Sequence, residues 1–369
     1  MAATNGSAPA ATVEEGAVLG LGNPLLDMTA NVTSEVLTKY KLEANNAILA
    51  EDAHLPLYAQ LRDEYGASYT AGGATQNAVR VAQWMLGAPG ATGFIGAVGT
   101  DDFADKMAAS ATADGVKVAY YTGGGQPTGT CAVLVTDGGA ARSLVANLSA
   151  ANTYKVDHVK DAKQWAMVLK ARVFYIAGFF LTVSPETVQA IGAHAHETGK
   201  TLAMNLSAPF LLEVPPFLAA MKAALPYVDV YFGNEAEAGV LAKAMGWDTS
   251  DVQEIAIKLA QVDKASPRPR TVVFTQGADP TIVAIGESSR LWSVERFGII
   301  PCAPSELVDT NGAGDAFAGG FLSGMAAGVP IVECVARGNY AANVVIKRSG
   351  CTMPAKNEFK FRGTSCHLA

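Results

Sequence analysis

Charge is scarce in this chain. Asp, Glu, Lys and Arg supply 17% of its 369 residues, where soluble domains average about 25%. The 27 basic residues are scattered without a block of five or six, and the net charge is −7. A phosphate backbone demands a clustered basic surface, so nucleic acid is excluded as a partner. Long hydrophobic runs are missing too. YIAGFFL (175–181) falls far short of the roughly 20 residues that span a bilayer, which leaves no membrane span. The five cysteines, Cys131, Cys302, Cys334, Cys351 and Cys366, include no C-x-x-C pair. That pattern argues for reduced thiols and a cytoplasmic setting, with the nucleus left open. Residues 1–16 lack the basic start and apolar run of a secretory signal and end near Glu14 and Glu15. They read as a disordered tail ahead of one domain over 17–369.

What is present is apolar and rich in turns: half the residues are hydrophobic and 37 are glycine. Strand-like runs at 17–22, 91–99, 171–178, 201–207, 229–233 and 271–277 alternate with helical stretches at 75–86, 102–114, 184–198, 235–245, 251–262, 313–327 and 331–347. Strand then helix, repeated, predicts an α/β fold with a mostly parallel central sheet covered by helices on both faces. Segments of about 24–70 and 117–149 break the rhythm. The second reads as strands joined by Gly-rich turns, with Asp-Gly-Gly at 137–139 a hairpin signal. Both segments are assigned to a small β-rich lid. A further hairpin over 271–286, with 290–296 beside it, predicts an antiparallel edge to the main sheet.

The strongest chemical signal is DTNGAGDAFAGGFL (309–322). Asp309, Thr310 and Asn311 can cap a helix start, and Gly312, Ala313 and Gly314 let backbone N–H groups approach a ligand. Such a turn is an anion hole suited to the charge on a transferring phosphoryl group. Asp315 follows at once. A carboxylate there repels a resting phosphate unless it handles a proton or a metal, so its natural role is general base toward an attacking hydroxyl.

A second motif, AGGATQN (71–77), places Gly72 and Gly73 before a helix and Asn77 a turn further on. The Asn77 amide can donate to and accept from sugar hydroxyls. In NEAEA (234–238), Asn234 and Glu237 stand three apart at a helix start after a strand. Two readings stay open for that pair: a Mg²⁺ held through water, or an ordinary helix cap.

Both glycine motifs match the two signatures of the ribokinase-like family of carbohydrate and purine kinases, and N-x-x-E fits that family as well. The resemblance narrows to the family's adenosine-phosphorylating branch through GLGNPLLD (20–27), ILAED (48–52), AGGATQN, QPTGTCA (126–132), IAGFFLTVSPE (176–186), NLSAPF (205–210), FGNE (232–235), FTQG (274–277) and DTNGAGDAF (309–317). These strings run in order along nearly the whole chain. The resemblance implies a ribokinase-like α/β fold that transfers the ATP γ-phosphate to the 5′-hydroxyl of adenosine, with Mg²⁺ neutralising the phosphates. It further implies small-molecule substrates and a monovalent-cation site near Asp309 whose ligands are not assigned; a lid covering the sheet edge would leave less surface for the dimer contact of sugar-kinase relatives, which favours a monomer.

By the same resemblance, Asp315 is the base and Gly312, Ala313 and Gly314 the anion hole. Asp27, Gly72, Gly73, Asn77 and Asn311 would face the nucleoside, with Asn23 nearby. Leu25, Cys131, Leu144, Ala146, Phe179 and Phe210 would enclose the adenine. ATP would meet Asn205, Asn234, Thr275, Gly277, Gly312 and Gly314, with Asn339 and Asn343 near its base and Glu237 near its metal. Arg142, on the lid hairpin, would approach the phosphates; its alternative is a solvated hairpin charge. The chain departs from animal members at Asn339 and Ala47, where His and Gln are expected.

Three other signals are discounted. ETGKT (197–201) lacks the first glycine of a phosphate loop, GLGNPL (20–25) has Leu25 where a dinucleotide turn needs glycine, and His194 and His196 are two apart on a helix rather than four. A ribose- or fructose-type sugar kinase remains the rival reading, separated by whether the pocket admits a purine beside Phe179. A noncatalytic nucleotide-binding protein is disfavoured because Asp315 and the glycine turn are intact.

Overall fold

The computed structural model describes residues 13–139, 141–361 and 363. The strands are β1 (Val18–Leu21), β2 (Leu25–Asn31), β3 (Ala47–Leu49), β4 (Ser68–Gly72), β5 (Thr92–Ala97), β6 (Lys117–Tyr121), β7 (Thr130–Thr136), β8 (Ala141–Asn147), β9 (Val173–Ala177), β10 (Thr201–Asn205), β11 (Val230–Asn234), β12 (Arg270–Gln276), β13 (Asp279–Glu287) and β14 (Arg290–Phe297). Nine of them form one sheet in the order β14-β13-β12-β11-β10-β9-β1-β5-β6. From β6 to β12 all neighbours are parallel, and the β12–β13–β14 meander adds the antiparallel edge expected from the sequence.

The buried middles of the central strands are apolar on both faces because helices cover both sides of the sheet. The pleat sends Phe174 and Ile176 of β9 into one core with Ile191, Leu241, Ile255 and Leu259. Val173 and Tyr175 point the other way, into a core with Ala78, Phe317, Phe321 and Val335. On that second face, helix Ala313–Ala327 lies between helices Ala74–Leu86 and Ile331–Val345. Its two adjacent glycines permit this. A Cβ on Gly319 would stand 2.3 Å from the Ala78 carbonyl oxygen, and one on Gly320 would stand 2.4 Å from that of Arg337.

The second sheet has five strands in the order β3-β8-β7-β2-β4. β7 and β8 form the hairpin read from Asp-Gly-Gly, with Asp137 and Gly138 both at positive φ. Its outer face packs Leu134 and Val145 against Val36, Leu37, Leu57 and Leu61.

Several expectations are corrected. The strand at 117–121 does not join the small sheet: it pairs in parallel with β5 at the edge of the large one, because helix Asp102–Ala113 supplies the crossover a parallel neighbour needs. The lid segments are not free of helices, since Ser34–Lys39 and Leu55–Asp63 cover the small sheet. Residues 13–16 of the expected tail belong to the folded body. Gly16 N–H donates to the Gly90 carbonyl at 2.8 Å, Val13 packs on the core, and Glu15 pairs with Lys117 and Lys170. Residues 1–12 and Cys366 lie outside the described residues.

Overpacking against backbone oxygen has no flexible side chain to absorb it. Gly319→Val is therefore expected to destabilise by about 3 kcal/mol, seen as a thermal midpoint lowered by roughly 5 °C; an unchanged midpoint would contradict the close helix contact.

Candidate functional site

The two sheets face each other across a cavity of about 480 Å³. The C-terminal ends of β1, β9, β10, β11 and β12 contribute Asn23, Phe179, Asn205, Asn234 and Thr275 to its floor. This is the edge at which parallel sheets bind ligands. The small sheet supplies Leu25, Asp27, Ile48, Cys131, Arg142, Leu144 and Ala146. Gly73 and Asn77 of one helix start, and Asn311 through Asp315 of the other, close the remaining side.

The turn before Asp315 is held by Asp309, a buried carboxylate. Its Oδ1 accepts the Asn311 N–H and the Arg142 Nε–H, each at 2.8 Å, and its Oδ2 accepts the Gly350 N–H at 2.9 Å. Gly312, at φ 76°, then turns the chain into helix Ala313–Ala327. The first N–H groups of a helix have no acceptor inside it, so they face the cavity with the positive end of the dipole. Ala313 differs from its neighbours, because its N–H donates to the Thr310 carbonyl at 3.2 Å. Gly314 lines the cavity, as the anion-hole reading requires.

Asp315 is half-buried on the cavity wall, where burial pushes its carboxyl up to about 7 against a hydrogen bond from Asn77 that lowers it. That bond runs from Asn77 Nδ2 to Asp315 Oδ2 at 3.1 Å. Asp27 is pushed up to about 7 as well, first by burial and then by the charge of Asp315, with Arg80 opposing. Arg80 is a buried residue that sequence reasoning passed over. It pairs with Asp114 at 2.5 Å and donates to the carbonyls of Ala71, at 3.0 Å, and Cys351, at 3.4 Å.

Around Asp27 the cavity presents hydrogen-bond acceptors. Asn23 commits its Nδ2 to the Phe179 carbonyl at 3.3 Å and Asn77 commits its own to Asp315. The amide oxygens of both are buried without a partner. Two amide oxygens and a carboxylate suit a ligand that offers hydroxyl donors. Gly73, at φ 92°, lines this end, whereas Gly72 lies behind it: a Cβ there would stand 2.3 Å from the Asp27 carboxylate. Gln76, a further residue the sequence reading did not single out, is fully buried and donates to the Gly72 carbonyl at 3.1 Å while accepting from the Tyr120 hydroxyl. Its place one position before Asn77 in the same motif was the available signal.

The apolar end brings together Leu25, Cys131, Leu144, Ala146, Phe179 and Phe210, with Ile48 and Leu49 added from β3. The Phe179 and Phe210 rings stand 6.2 Å apart. At the opposite end, Asn205, Asn234, Thr275 and Glu237 line the cavity. Asn234 and Glu237 make a reciprocal cap: Glu237 N–H donates to Asn234 Oδ1 at 2.8 Å, and Asn234 donates through N–H and Nδ2 to the carboxylate, both at 3.0 Å. Burial raises Glu237 to about 7. The cap reading therefore holds, and the same pair still faces the cavity. Among the described residues no group of three or more His, Cys, Asp or Glu could hold a metal ion.

Three expected ATP contacts lie away from the cavity lining. Gly277 occupies the β12–β13 turn at φ 56°. Asn339 donates to the Gly298 carbonyl and Asn343 to that of Ile300, each at 3.1 Å, so both tie down the segment after β14. Arg142 is buried rather than solvated. Besides Asp309 it donates to the carbonyls of Val308 at 3.0 Å and Ala141 at 3.1 Å. No helix among the described residues is long and apolar enough to cross a membrane.

Residues 41–358 match the family profile of the pfkB family carbohydrate kinases. Adenosine kinase 2 of Arabidopsis thaliana is 53% identical over 346 residues, covering 94% of this chain and 98% of that protein. The crystal structure of Anopheles gambiae adenosine kinase in complex with P1,P4-di(adenosine-5) tetraphosphate superposes with a TM-score of 0.88 at 44% identity, covering 94% of this chain and all of that one. Adenosine kinase from Schistosoma mansoni in complex with adenosine and AMP gives a TM-score of 0.85 at 32% identity, with 94% and 100% covered.

Because the folded state holds Asp315 protonated up to about 7 and the unfolded chain ionises it near 3.8, the folded state binds more protons between those values and stability falls as pH rises through them. Asp315→Asn removes that burden. It is expected to raise the thermal midpoint at pH 8 by roughly 1–3 °C and to gain less at pH 5; no gain at pH 8 would contradict an ionised carboxylate held at this half-buried place.

Proposed function

This chain belongs to the pfkB family of carbohydrate kinases, and from that premise we propose that it transfers the γ-phosphate of ATP to the 5′-hydroxyl of adenosine, giving AMP and ADP in purine salvage. The observation that carries the proposal is one cavity with three chemically distinct parts. Its apolar end, floored by Phe179 and Phe210, suits a flat heterocycle. Its acceptor-rich middle, with Asp27 and the amide oxygens of Asn23 and Asn77, suits a vicinal diol. The helix start at 312–315 suits a phosphoryl group.

In this reading the 5′-hydroxyl lies against Asp315. The carboxylate takes its proton as the oxygen attacks the γ-phosphorus in line with the departing ADP, and the first-turn N–H groups stabilise charge on the transferring oxygens. Asp27 accepts a ribose hydroxyl, and Asn205 and Thr275 meet the nucleotide. Arg142 stays on Asp309, holding the small sheet over the cavity as a lid that excludes water. The donor set at Asn234 and Glu237, all hard oxygen and already committed to a cap, fits a Mg²⁺ bound through water rather than directly. When bound, that ion would neutralise the phosphates. A monovalent cation near Asp309, a monomeric state and a cytoplasmic setting complete the proposal; the free thiols of Cys131, Cys302, Cys334 and Cys351 support the last of these.

A sugar kinase would use the same Asp315 and helix start, but the apolar wall of Leu144, Ala146 and Phe179 would then have no partner. With Mg²⁺ and ATP, AMP is expected from adenosine and no phosphate ester from ribose or fructose, as read by mass spectrometry; turnover of a sugar alone would overturn the pocket assignment. Asp315→Asn is expected to bind adenosine with little change while kcat falls by about 10³-fold, and near-normal turnover would remove Asp315 from its role.

A further inference from the structure

Asn77 stands between the sugar-binding part of the cavity and Asp315, and its hydrogen bonding divides it into two halves. The Nδ2 half donates to Asp315 Oδ2 at 3.1 Å. That orientation suits the ionised base, since the amide oxygen would repel a carboxylate. The Oδ1 half is buried without a partner, on a side chain only 4% exposed that lines the cavity. The pair is braced from both sides, because helices Ala74–Leu86 and Ala313–Ala327 meet backbone to backbone at Ala78 and Gly319.

The other groups acting around Asp315 would not hold it ionised. The charge of Asp315 is felt by Asp27 on β2, Glu237 on helix Glu235–Met245, Tyr175 on β9 and Cys351 in the segment after helix Ile331–Val345. Each is neutral or negative. The nearby cation Arg80 acts on Asp27 and on Cys351, and Arg142 is engaged with Asp309. Asn77 is the side-chain donor that meets the Asp315 carboxylate.

We infer that Asn77 is the positioning residue for proton transfer: its N–H aims the Asp315 carboxylate and favours its ionised form, while its amide oxygen accepts a ribose hydroxyl, so that one side chain links sugar recognition to the base. The inference rests on Asp315 being the base. It assigns to Asn77 a part in kcat that a ribose contact alone would lack. Loss of the N–H leaves a buried carboxylate without its donor, and such a group takes up a proton more readily.

The test is the pH profile of kcat with adenosine, Mg²⁺ and ATP for the wild-type enzyme, Asn77→Leu and Asn77→Ser. Serine keeps a polar side chain that is too short to reach Asp315, and it decides the matter where leucine fails to fold. The expected result is an acid limb moved up by about one pH unit in the variants, with kcat about tenfold low at pH 6.5 and largely recovered at pH 8.5. An unmoved acid limb with only KM raised would overturn the inference and leave Asn77 a ribose contact. Asp315→Asn run alongside keeps the two claims separate, because near-normal turnover there rejects the base itself, whereas its loss beside an unmoved limb in the Asn77 variants rejects the link alone.

Discussion

The buried ion pair between Arg142 and Asp309 is the contact on which the site depends. Arg142 belongs to the hairpin of the small sheet and Asp309 to the turn that opens the helix of Asp315, so the pair ties the small sheet to that turn beside the cavity. Both side chains are buried, and a pair taken out of water survives only when its remaining hydrogen bonds are met. Here the carboxylate also accepts from Asn311 and Gly350. The same carboxylate that anchors the small sheet therefore shapes the turn that presents the anion-binding N–H groups.

Closing the cavity desolvates its acids. Asp27, Asp315 and Glu237 are all pushed to about 7, with burial the largest cause for each. A carboxyl poised near the working pH is suited to taking a proton from an alcohol and giving it up afterwards. The enclosure that excludes water thus also tunes the base. The spread of donors fits the same design: the amide nitrogens of Asn23 and Asn77 are turned to protein oxygens, which leaves acceptors facing the region assigned to a diol.

The parallel body of the fold was legible because buried strands such as Phe174–Ile176 are β-rich and apolar without alternation, and because capping residues such as Asp101, Asn234 and Asp251 mark helix starts between them. The position of Asp315 one residue past a glycine turn carried its chemistry on local spacing alone. Less legible was whatever depends on distant pairing. β6 joins the large sheet through a crossover helix that the sequence reading found without drawing its consequence. The helices Ser34–Lys39 and Leu55–Asp63 are too short for their apolar spacing to stand out. Arg142 meets Asp309 across 167 positions and Asn77 meets Asp315 across 238, separations at which no motif is visible. Asn339 and Asn343 carry amides suited to a base, yet they close on the carbonyls of a neighbouring loop, a pairing 41 and 43 residues apart that no motif shows.

The central claim is that a single cavity brings a hydroxyl, a base and a phosphoryl group together for direct transfer, with no phosphate held covalently by the protein on the way. The stereochemical course at phosphorus tests it most directly. With ATP made chiral at the γ-phosphorus and adenosine as acceptor, the account expects inversion of configuration in the AMP formed. Retention would require two displacements through a phosphorylated side chain and would contradict it.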